Sequence, residues 1–175
     1  MASSDLIFKG EFVHQVDEKV RFKLPVKMQD AFENELGLMC VMMKMPEGCL
    51  ALYPAERWQK EYGKYLSGSG GKVAVNADYR KLSRQIGSRS TDVKIGVQGR
   101  VPIPEGFREF IDAEAGKNVV ITGAGERIEI WSESRWQAEG EDDDGDFSDL
   151  LEKASNQVFR LEREDGGGGA SQQEE

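Results

Sequence analysis

Apolar and polar positions alternate in short stretches over the first part of the chain. In residues 8–16 one side of the alternation carries Phe8, Phe12, His14 and Val16 and the other carries Lys9, Glu11 and Gln15, and this period of two predicts a half-buried strand. Residues 17–20 interrupt the alternation, which resumes with Phe22 and Leu24 facing inward. The pattern therefore predicts a turn between two short strands, with the charged residues of the turn at an exposed tip.

The chain continues with a helix and two more strands. Pro25 and Gly37 bracket a stretch that predicts a helix over residues 26–35. A nearly unbroken apolar run follows, and such a run is typical of a strand covered on both faces. The other predicted elements are a strand over 38–45, a turn at 46–48, a strand over 49–53 and a helix over 55–66.

A glycine-rich linker separates this part of the chain from the next. Residues 67–71, SGSGG, have the composition of a flexible connection. Asn76 then predicts the N-cap of a short basic helix over residues 77–86, which carries Arg80, Lys81 and Arg84. Downstream the same order of elements returns: strands over 93–97 and 100–103, a helix over 105–113, strands over 118–122 and 127–131, and a helix that begins at residue 132.

The order of elements repeats because the sequence itself repeats. Arg21, Leu24 and Pro25 correspond to Arg100, Ile103 and Pro104, each 79 positions later. A one-residue gap then shortens the offset to 78, at which Leu50, Leu52, Tyr53 and Trp58 correspond to Ile128, Ile130, Trp131 and Trp136. Two offsets that differ by only one residue indicate a tandem duplication. Repeats of this length suggest that the two units bury their apolar faces against each other. The predicted fold class is α+β, with two copies of one small unit.

The excess negative charge lies entirely in the C-terminal part. Residues 1–139 carry 20 basic and 20 acidic side chains, whereas residues 140–175 carry 3 and 12, which accounts for the net charge of −9. This tail is predicted to be acidic and largely disordered, with helical spacing of apolar residues only between Phe147 and Leu161. A neutral core leaves room for a basic binding face despite the low isoelectric point.

The composition argues against an enzyme, a metal site and a membrane protein. The single histidine, His14, falls on the apolar side of a predicted strand, where a core or edge histidine is expected rather than a general base. Cys40 and Cys49 have no metal-ligand spacing, and position 40 should face position 54 across a hairpin, too far along the strand for a disulfide to position 49. No apolar stretch of membrane-spanning length and no secretory signal occurs, so we expect a cytoplasmic protein without a cofactor.

The first predicted turn is rich in cations. Lys19, Arg21, Lys23 and Lys27 fall within nine residues. A hairpin that presents them on one side could contact phosphates or base edges of a nucleic acid. The alternative is a strand edge kept soluble by lysine. The duplication favours the contact surface, because Arg100 gives a second arginine-bearing turn.

The stretches FKGEFVHQVDEKVRFKLP, GCLALYPAERW, QGRVPIPEGFREF and RIEIWSESRW resemble the MraZ family, bacterial regulators of the division and cell-wall gene cluster. The resemblance covers residues 6–138. It implies two AbrB-like swapped-hairpin domains, at 6–58 and 90–136, that form an internal pseudo-dimer. Residues 67–89 would then be a linker with a short basic helix, and residues 140–175 a tail without a counterpart in the family.

The family motif D-x-x-x-R implies which residues contact DNA. Asp17 and Arg21 preserve it in the first copy, although Val20 stands where glycine usually precedes the arginine. The second copy keeps Arg100 but has Gly96 in place of the aspartate. The resemblance therefore implies DNA binding by Arg21 and Arg100, and the neighbouring cations Lys19 and Lys23 should assist.

By this resemblance, the chain is a sequence-specific, DNA-binding transcriptional regulator that assembles into a homo-oligomeric ring and associates with the nucleoid. Two alternatives remain. The first is a structural or interaction protein that keeps the fold but has lost DNA binding, favoured by Gly96, Val20 and the neutral core. The second is an antitoxin-like AbrB protein. The acidic tail is expected either to compete with DNA or only to solubilise the chain.

Overall fold

A computed structural model of the chain describes residues 6–67, 76–140 and 144–165. The chain divides into two compact units, Met1–Trp136 and Gln137–Glu175. Most of the predicted linker and the acidic residues 141–143 lie outside the described residues. No helix in the described part of the chain has both the length and the apolar character needed to cross a membrane.

The first copy contains four strands and two helices in the predicted order. Its elements are β1 (Glu11–Gln15), β2 (Arg21–Lys23), α1 (Val26–Ala31) with a π-helical turn (Phe32–Leu36), β3 (Met39–Lys44), β4 (Leu50–Pro54) and α2 (Ala55–Leu66). Pro25 precedes α1 and Gly37 follows its π-helical extension, as the sequence predicts. Pro54 occupies the corresponding place before α2, because a proline at a helix start gives up no intrahelical hydrogen bond.

The second copy repeats this order after the basic helix. Its elements are α3 (Ala77–Arg89), β5 (Ser90–Lys94), β6 (Arg100–Pro102), α4 (Glu105–Arg108) with a 3-10 turn (Glu109–Ile111), β7 (Asn118–Ala124), β8 (Arg127–Ser132) and α5 (Glu133–Gly140). Asn76 caps α3 as predicted, since its side-chain oxygen accepts a hydrogen bond of 2.8 Å from the N–H of Asp78. Strand β5 begins earlier than predicted because its polar first half pairs with β3.

In the second unit, the tail contains helix α6 (Asp144–Asp165). The composition of the tail predicts a largely disordered segment, with helical spacing of apolar residues only between positions 147 and 161. Phe147, Leu150 and Leu151, which share the predicted apolar stripe, are exposed.

The strands of the two copies are interleaved. Within the described residues they form one antiparallel six-stranded sheet, in the order β1-β7-β8-β4-β3-β5, and one two-stranded ribbon of β2 and β6. The predicted turn at residues 17–20 does form, but β1 and β2 then diverge: β1 pairs with β7 of the other copy and β2 with β6. The mixed content of helices and strands confirms the α+β class.

The strand pairing is symmetric between the copies. When each strand is replaced by its equivalent in the other copy, the order of the six-stranded sheet becomes the same list read from the opposite edge. In the ribbon, Phe22 lies opposite its own equivalent, Val101. In the sheet, Ala51 lies opposite its equivalent, Glu129. A pseudo-two-fold axis therefore passes through both pairs, and the one-residue change of offset falls in the β3–β4 and β7–β8 hairpins.

Two apolar clusters cover the two faces of the six-stranded sheet. The first lies between the sheet and the ribbon and includes Phe22 and Val101, both fully buried. The second lies between the sheet and the helices α2 and α3, with Trp58 and Ile86 as its helical members. The ribbon and helix α3 thus lie on opposite faces of the sheet.

Two arginines fasten each copy to the hairpin of the other, a feature that the sequence analysis missed. Arg57, in α2, donates a hydrogen bond of 3.1 Å to the carbonyl oxygen of Glu126. Its equivalent Arg135 donates one of 2.8 Å to the carbonyl oxygen of Gly48, and Gly48 is in turn the equivalent of Glu126. The sequence does contain a signal for this pair, because the dipeptide Arg57-Trp58 recurs 78 positions later as Arg135-Trp136.

The two cysteines are buried and free, as expected. Cys40 lies opposite Pro54 in the β3–β4 hairpin, the register that the turn at residues 46–48 predicted. Burial raises the pKa of each thiol to about 12. Both therefore stay protonated at neutral pH and are poor nucleophiles and metal ligands.

Replacing Gly123 by alanine should lower the free energy of unfolding by about 1–3 kcal/mol. A Cβ atom at this position would lie 2.6 Å from the Cα of Lys9 and would overlap the backbone that runs past β7. Gly106→Ala is the matched control, because a Cβ there meets nothing within 4 Å and the residue lies in α4. Urea unfolding followed by tryptophan fluorescence measures both. Equal midpoints for the two variants would contradict the close approach.

Candidate nucleic-acid interface

The two arginine-bearing turns share a backbone hydrogen bond and a left-handed residue before the arginine. In the first, the N–H of Asp17 donates to the carbonyl oxygen of Arg21 at 2.8 Å, and in the second the N–H of Gly96 donates to that of Arg100 at 2.8 Å. The residue before each arginine has a left-handed backbone, with φ of 53° at Val20 and 69° at Gly99. The turns differ one residue earlier, because Gln98 is also left-handed, with φ of 60°, whereas its equivalent Lys19 is not.

Val20 adopts a conformation that usually requires glycine. A β-branched side chain in the left-handed region costs on the order of 1–2 kcal/mol. The Val20 side chain is half-buried against the first apolar cluster, and its carbonyl oxygen accepts a hydrogen bond of 3.0 Å from the N–H of Ile103. The ribbon therefore holds the turn in place with valine in the left-handed conformation.

Asp17 fixes the guanidinium of Arg21. One carboxylate oxygen accepts hydrogen bonds from the N–H groups of Lys19 (2.9 Å) and Arg21 (3.0 Å), which is a turn-stabilising arrangement. The other accepts from Arg21 Nε at 2.9 Å and lies 2.7 Å from Arg21 Nη2. The Arg21 side chain is 30% exposed, so its remaining N–H groups are available to a ligand. The side-chain hydrogen bond from Arg21 lowers the pKa of Asp17 below its ordinary value.

Replacing Arg21 by alanine should raise the pKa of Asp17 toward its ordinary value of 3.8. Because the folded-state pKa is depressed, the ionised carboxylate adds stability above the unfolded-state pKa, and this stability is lost as the pH falls through the folded-state pKa. A carboxyl-carbon NMR titration measures the shift. Lys19→Ala is the control, since Lys19 contributes its backbone N–H, which alanine retains. Identical titration midpoints in the wild type and Arg21→Ala would contradict the assignment.

The second turn lacks these side-chain contacts. Gly96 supplies no carboxylate, and Arg100 is exposed without a hydrogen bond or ion pair from its guanidinium to any described residue. Two other cations of the first turn are also replaced, Lys19 by Gln98 and Lys23 by Pro102. The two turns therefore share the backbone hydrogen bond and the left-handed residue before the arginine, and they differ in charge.

Three predicted site residues lie together on one face of the ribbon. Lys23 is directly opposite Arg100 in the β2–β6 pairing, and Arg21 lies two residues from Lys23 on the same side. Phe22 and Val101 point the other way and are fully buried. We call the exposed side, formed by Arg21, Lys23 and Arg100, the cationic face. Lys19 lies beside it, exposed in the first turn.

The cationic face has a charge arrangement that favours an anionic ligand. Like charges directly opposite each other in an antiparallel pair are destabilising, so Lys23 and Arg100 repel each other in the free protein. A phosphate between them would relieve this repulsion. The strand register and the buried side chains of Phe22 and Val101 fix the backbone positions from which the three cations extend.

A cleft next to the cationic face extends the basic surface. It has a volume of about 590 Å³, and Lys23, Lys27 and His14 are among the residues that line it. His14 lies on the inner side of β1, as predicted, and its Nδ1 contacts the carbonyl oxygen of Lys23. That contact gives His14 a role in joining β1 to the ribbon. The part of the chain that the structure describes contains no cluster of three or more His, Cys, Asp or Glu side chains that could hold a metal ion.

Comparison with known proteins gives consistent matches. A family model described as "MraZ protein, putative antitoxin-like" matches residues 88–157. The "Transcriptional regulator MraZ" of Moorella thermoacetica is 33% identical over 147 residues, which cover 84% of this chain and 96% of that protein. The protein of the same name from Halothermothrix orenii is 36% identical over 130 residues, 74% of this chain and 84% of that protein. The one from Clostridium tetani is 34% identical over 151 residues, 85% and 97% respectively.

Among solved structures, the solution structure of PHS018 from Pyrococcus horikoshii matches with a TM-score of 0.32 and 13% identity, over 73% of this chain and 97% of that chain. A likeness of this degree supports no argument about fold or function. The sequence relatives are different, because they are matched almost from end to end and contain both copies of the repeat. On that evidence the chain belongs to the MraZ family.

Proposed function

We propose that this protein is a DNA-binding transcriptional regulator and that the ribbon of β2 and β6 is its DNA-contacting element. The observation that carries the proposal is the cationic face, on which two cations from different copies lie directly opposite each other above a fully buried layer. The relatives are named transcriptional regulators, which agrees with a nucleic acid as the anionic ligand. The class of protein is then a non-enzymatic regulator without a cofactor.

The proposed architecture is two AbrB-like swapped-hairpin units, at residues 6–58 and 90–136, that form an internal pseudo-dimer. Its support is the strand pairing, in which β1 and β2 of the first copy pair with β7 and β6 of the second. Among the described strands of each copy, only one hairpin, β3–β4 or β7–β8, is paired internally, and the remaining strands pair with strands of the other copy. A fragment of about 50 residues rarely buries enough apolar surface to be stable by itself, which favours such pairing.

We assign different roles to the four cations. Arg21, which Asp17 holds in one orientation, contacts base edges or phosphates with the N–H groups that the carboxylate leaves free. Lys23 and Arg100 share a phosphate across the ribbon, and Lys19 reaches a neighbouring phosphate from the tip of the turn. Arg100 contributes less than Arg21, because a guanidinium without a carboxylate partner loses more rotamer freedom on binding.

One ribbon offers only a few contacts, so useful affinity calls for several ribbons on one DNA. We propose that the protein forms a ring-shaped homo-oligomer, as the family resemblance implies, and acts in the cytoplasm at the nucleoid. Linking binding modules in this way raises the overall affinity without any new contact at each module. Analytical ultracentrifugation with and without DNA gives the subunit number.

A gel-shift titration of the full chain on DNA upstream of its own operon tests the proposal. Binding should weaken steeply as salt rises, because each phosphate contact contributes about −0.9 to the slope of log K against log salt. An unrelated duplex of the same length is the control for sequence specificity. Absence of any shift at low salt, for a chain that circular dichroism and tryptophan fluorescence confirm to be folded, would rule out the proposed function.

A second candidate is an interaction protein of the same fold that no longer binds DNA. The observation that favours it is Gly96, which leaves the second turn without the carboxylate that orients Arg21 in the first. An antitoxin-like role belongs to the same class of alternatives, since it too would act through a protein partner. Both alternatives expect the same DNA affinity for the wild type and for Arg21→Ala.

A further inference from the structure

Helix α3 carries a group of cations that the ribbon does not use. Four of its 13 residues are basic and one, Asp78, is acidic. Ile86 is buried in the second apolar cluster and fixes which side of the helix faces the sheet. Arg80, Lys81 and Arg84 are exposed.

Helical geometry brings these three cations onto one face. At 3.6 residues per turn, Arg80, Lys81 and Arg84 fall within an arc of about 100°, and Ile86 points in the opposite direction. Ala77 and Ser88 lie inside the same arc and are also exposed. Because their side chains are small, a flat or rounded polyanion can approach the helix closely. We call this surface the basic helix face.

The cations of the basic helix face are spaced to repel each other. Arg84 is four residues from Arg80 and three from Lys81, and like charges at these spacings destabilise a helix. Lys81 and Arg84 form no ion pair with any residue that the structure describes. The neighbouring helix α2 differs, because Glu56 and Glu61 alternate with its basic residues. Lys81 and Arg84 repel each other and form no ion pair within the described residues, which favours an external polyanion as the partner.

The basic helix face cannot serve the same stretch of DNA as the ribbon. The ribbon covers one face of the six-stranded sheet, and Ile86 packs α3 against the other. A straight duplex that lies on the cationic face is separated from α3 by the sheet and by an apolar layer on each side of it. A ligand on α3 is therefore a second, separate segment.

We propose that the basic helix face is a second binding surface for the DNA backbone, which holds a different duplex segment from the one on the ribbon. A single molecule would then bridge two segments of DNA. The inference rests on the proposed DNA-binding function and extends it. The cations of α3 contact phosphates in this proposal. Phosphates are the same for every base sequence, so this surface has no sequence preference.

A two-duplex capture experiment tests the inference with the full-length protein. A biotinylated duplex of the upstream region is fixed on beads, the protein is bound to it, and a fluorescent duplex of unrelated sequence is then added. The wild type should retain the fluorescent duplex. Lys81→Glu combined with Arg84→Glu should reduce this retention by about tenfold or more. The slope of log K against log salt for capture of the second duplex should become shallower by about 2, because two phosphate contacts are lost. The gel-shift affinity for the first duplex should stay within about twofold of the wild type.

Lys60→Glu combined with Lys64→Glu is the matched control, because it makes the same change of net charge on exposed residues of α2 and should leave retention unchanged. Retention by the α3 variant equal to that of the wild type would overturn the inference, and would assign bridging to the ribbons of neighbouring copies. If the true partner of α3 were an acidic protein segment, the α3 variant would likewise retain the fluorescent duplex as well as the wild type does, and the inference would be overturned. A wild type that binds the first duplex without capturing the second contradicts this inference alone, whereas a wild type that binds neither contradicts the proposed function as well.

Discussion

Replacing Arg21 by alanine should weaken DNA binding by roughly 5- to 150-fold, the equivalent of about 1–3 kcal/mol. The size of the effect follows from the two bonds of Arg21 to the Asp17 carboxylate, at 2.9 and 2.7 Å, which hold the guanidinium in one orientation before DNA arrives. A group ordered in advance loses little entropy on binding. Fluorescence anisotropy with a labelled operator duplex at fixed salt measures the change.

Arg100→Ala is the internal comparison for that experiment. It removes the same side chain from the equivalent backbone position, but without a carboxylate that orients it, so we expect a loss of less than about fivefold. Asp17→Asn should fall between the two, because the Arg21 guanidinium remains but loses its charged partner. An equal loss for Arg21→Ala and Arg100→Ala would show that orientation by Asp17 contributes nothing to DNA binding. No loss for either would favour the interaction protein.

Phe22→Ala should lower the free energy of unfolding by about 3–5 kcal/mol. Phe22 is fully buried, lies on the pseudo-two-fold axis and forms the layer between the ribbon and the six-stranded sheet. Its removal leaves a cavity that the opposite residue, Val101, is too small to fill. Urea unfolding at neutral pH, followed by circular dichroism, gives the free energy.

The equivalent substitution in the other copy, Val101→Ala, removes fewer atoms and should cost only about 1.5–3 kcal/mol. Neither variant removes a cation, so a change of DNA affinity in a folded variant reports the order of the ribbon rather than a lost contact. If Phe22→Ala remains folded at low temperature, its DNA affinity should fall together with the order of the ribbon. A loss of stability below about 1 kcal/mol for Phe22→Ala would mean that the ribbon is not part of the cooperative core.

The sequence predicted the duplication and most of the local structure. Each element has a local signal, such as the proline before α1 and the asparagine cap of α3, and these signals act over a few residues only. The position of the gap between the copies was also visible, since the offset changes from 79 to 78 between the pairs Pro25/Pro104 and Leu50/Ile128. The structure locates that gap in the β3–β4 and β7–β8 hairpins.

Strand partners could not be predicted from the pattern. Alternation of apolar residues in β1 shows which side is buried and does not show which strand supplies the hydrogen bonds. The turn after β1 made β2 the nearest candidate, yet β1 pairs with β7, more than 100 positions away. Such pairing depends on contacts between residues distant in sequence, and the local alternation of apolar and polar residues does not identify the partner strand.

The sequence identified candidate residues for the nucleic-acid interface but did not predict how these residues are arranged in space. The motif identified Asp17 and Arg21, and the structure brings them into contact. That Lys23 and Arg100 face each other depends on the ribbon register, which only the fold reveals. Their roles in DNA binding stay predictions until the variants are measured.

The unlike turns on a common axis have a consequence for the DNA sequence. Two identical chains that pair about a two-fold axis present two identical turns and therefore favour a palindrome. Here the axis lies inside one chain, and the turns differ at Asp17 and Gly96 and again at Lys23 and Pro102. At one end of the ribbon Arg21, which is paired with Asp17, lies opposite Pro102, and at the other end Lys23 lies opposite Arg100, so the two ends differ in charge. An operator for such a surface has a direction, so replacing it by a perfect palindrome should weaken binding, whereas a symmetric reader would favour the palindrome.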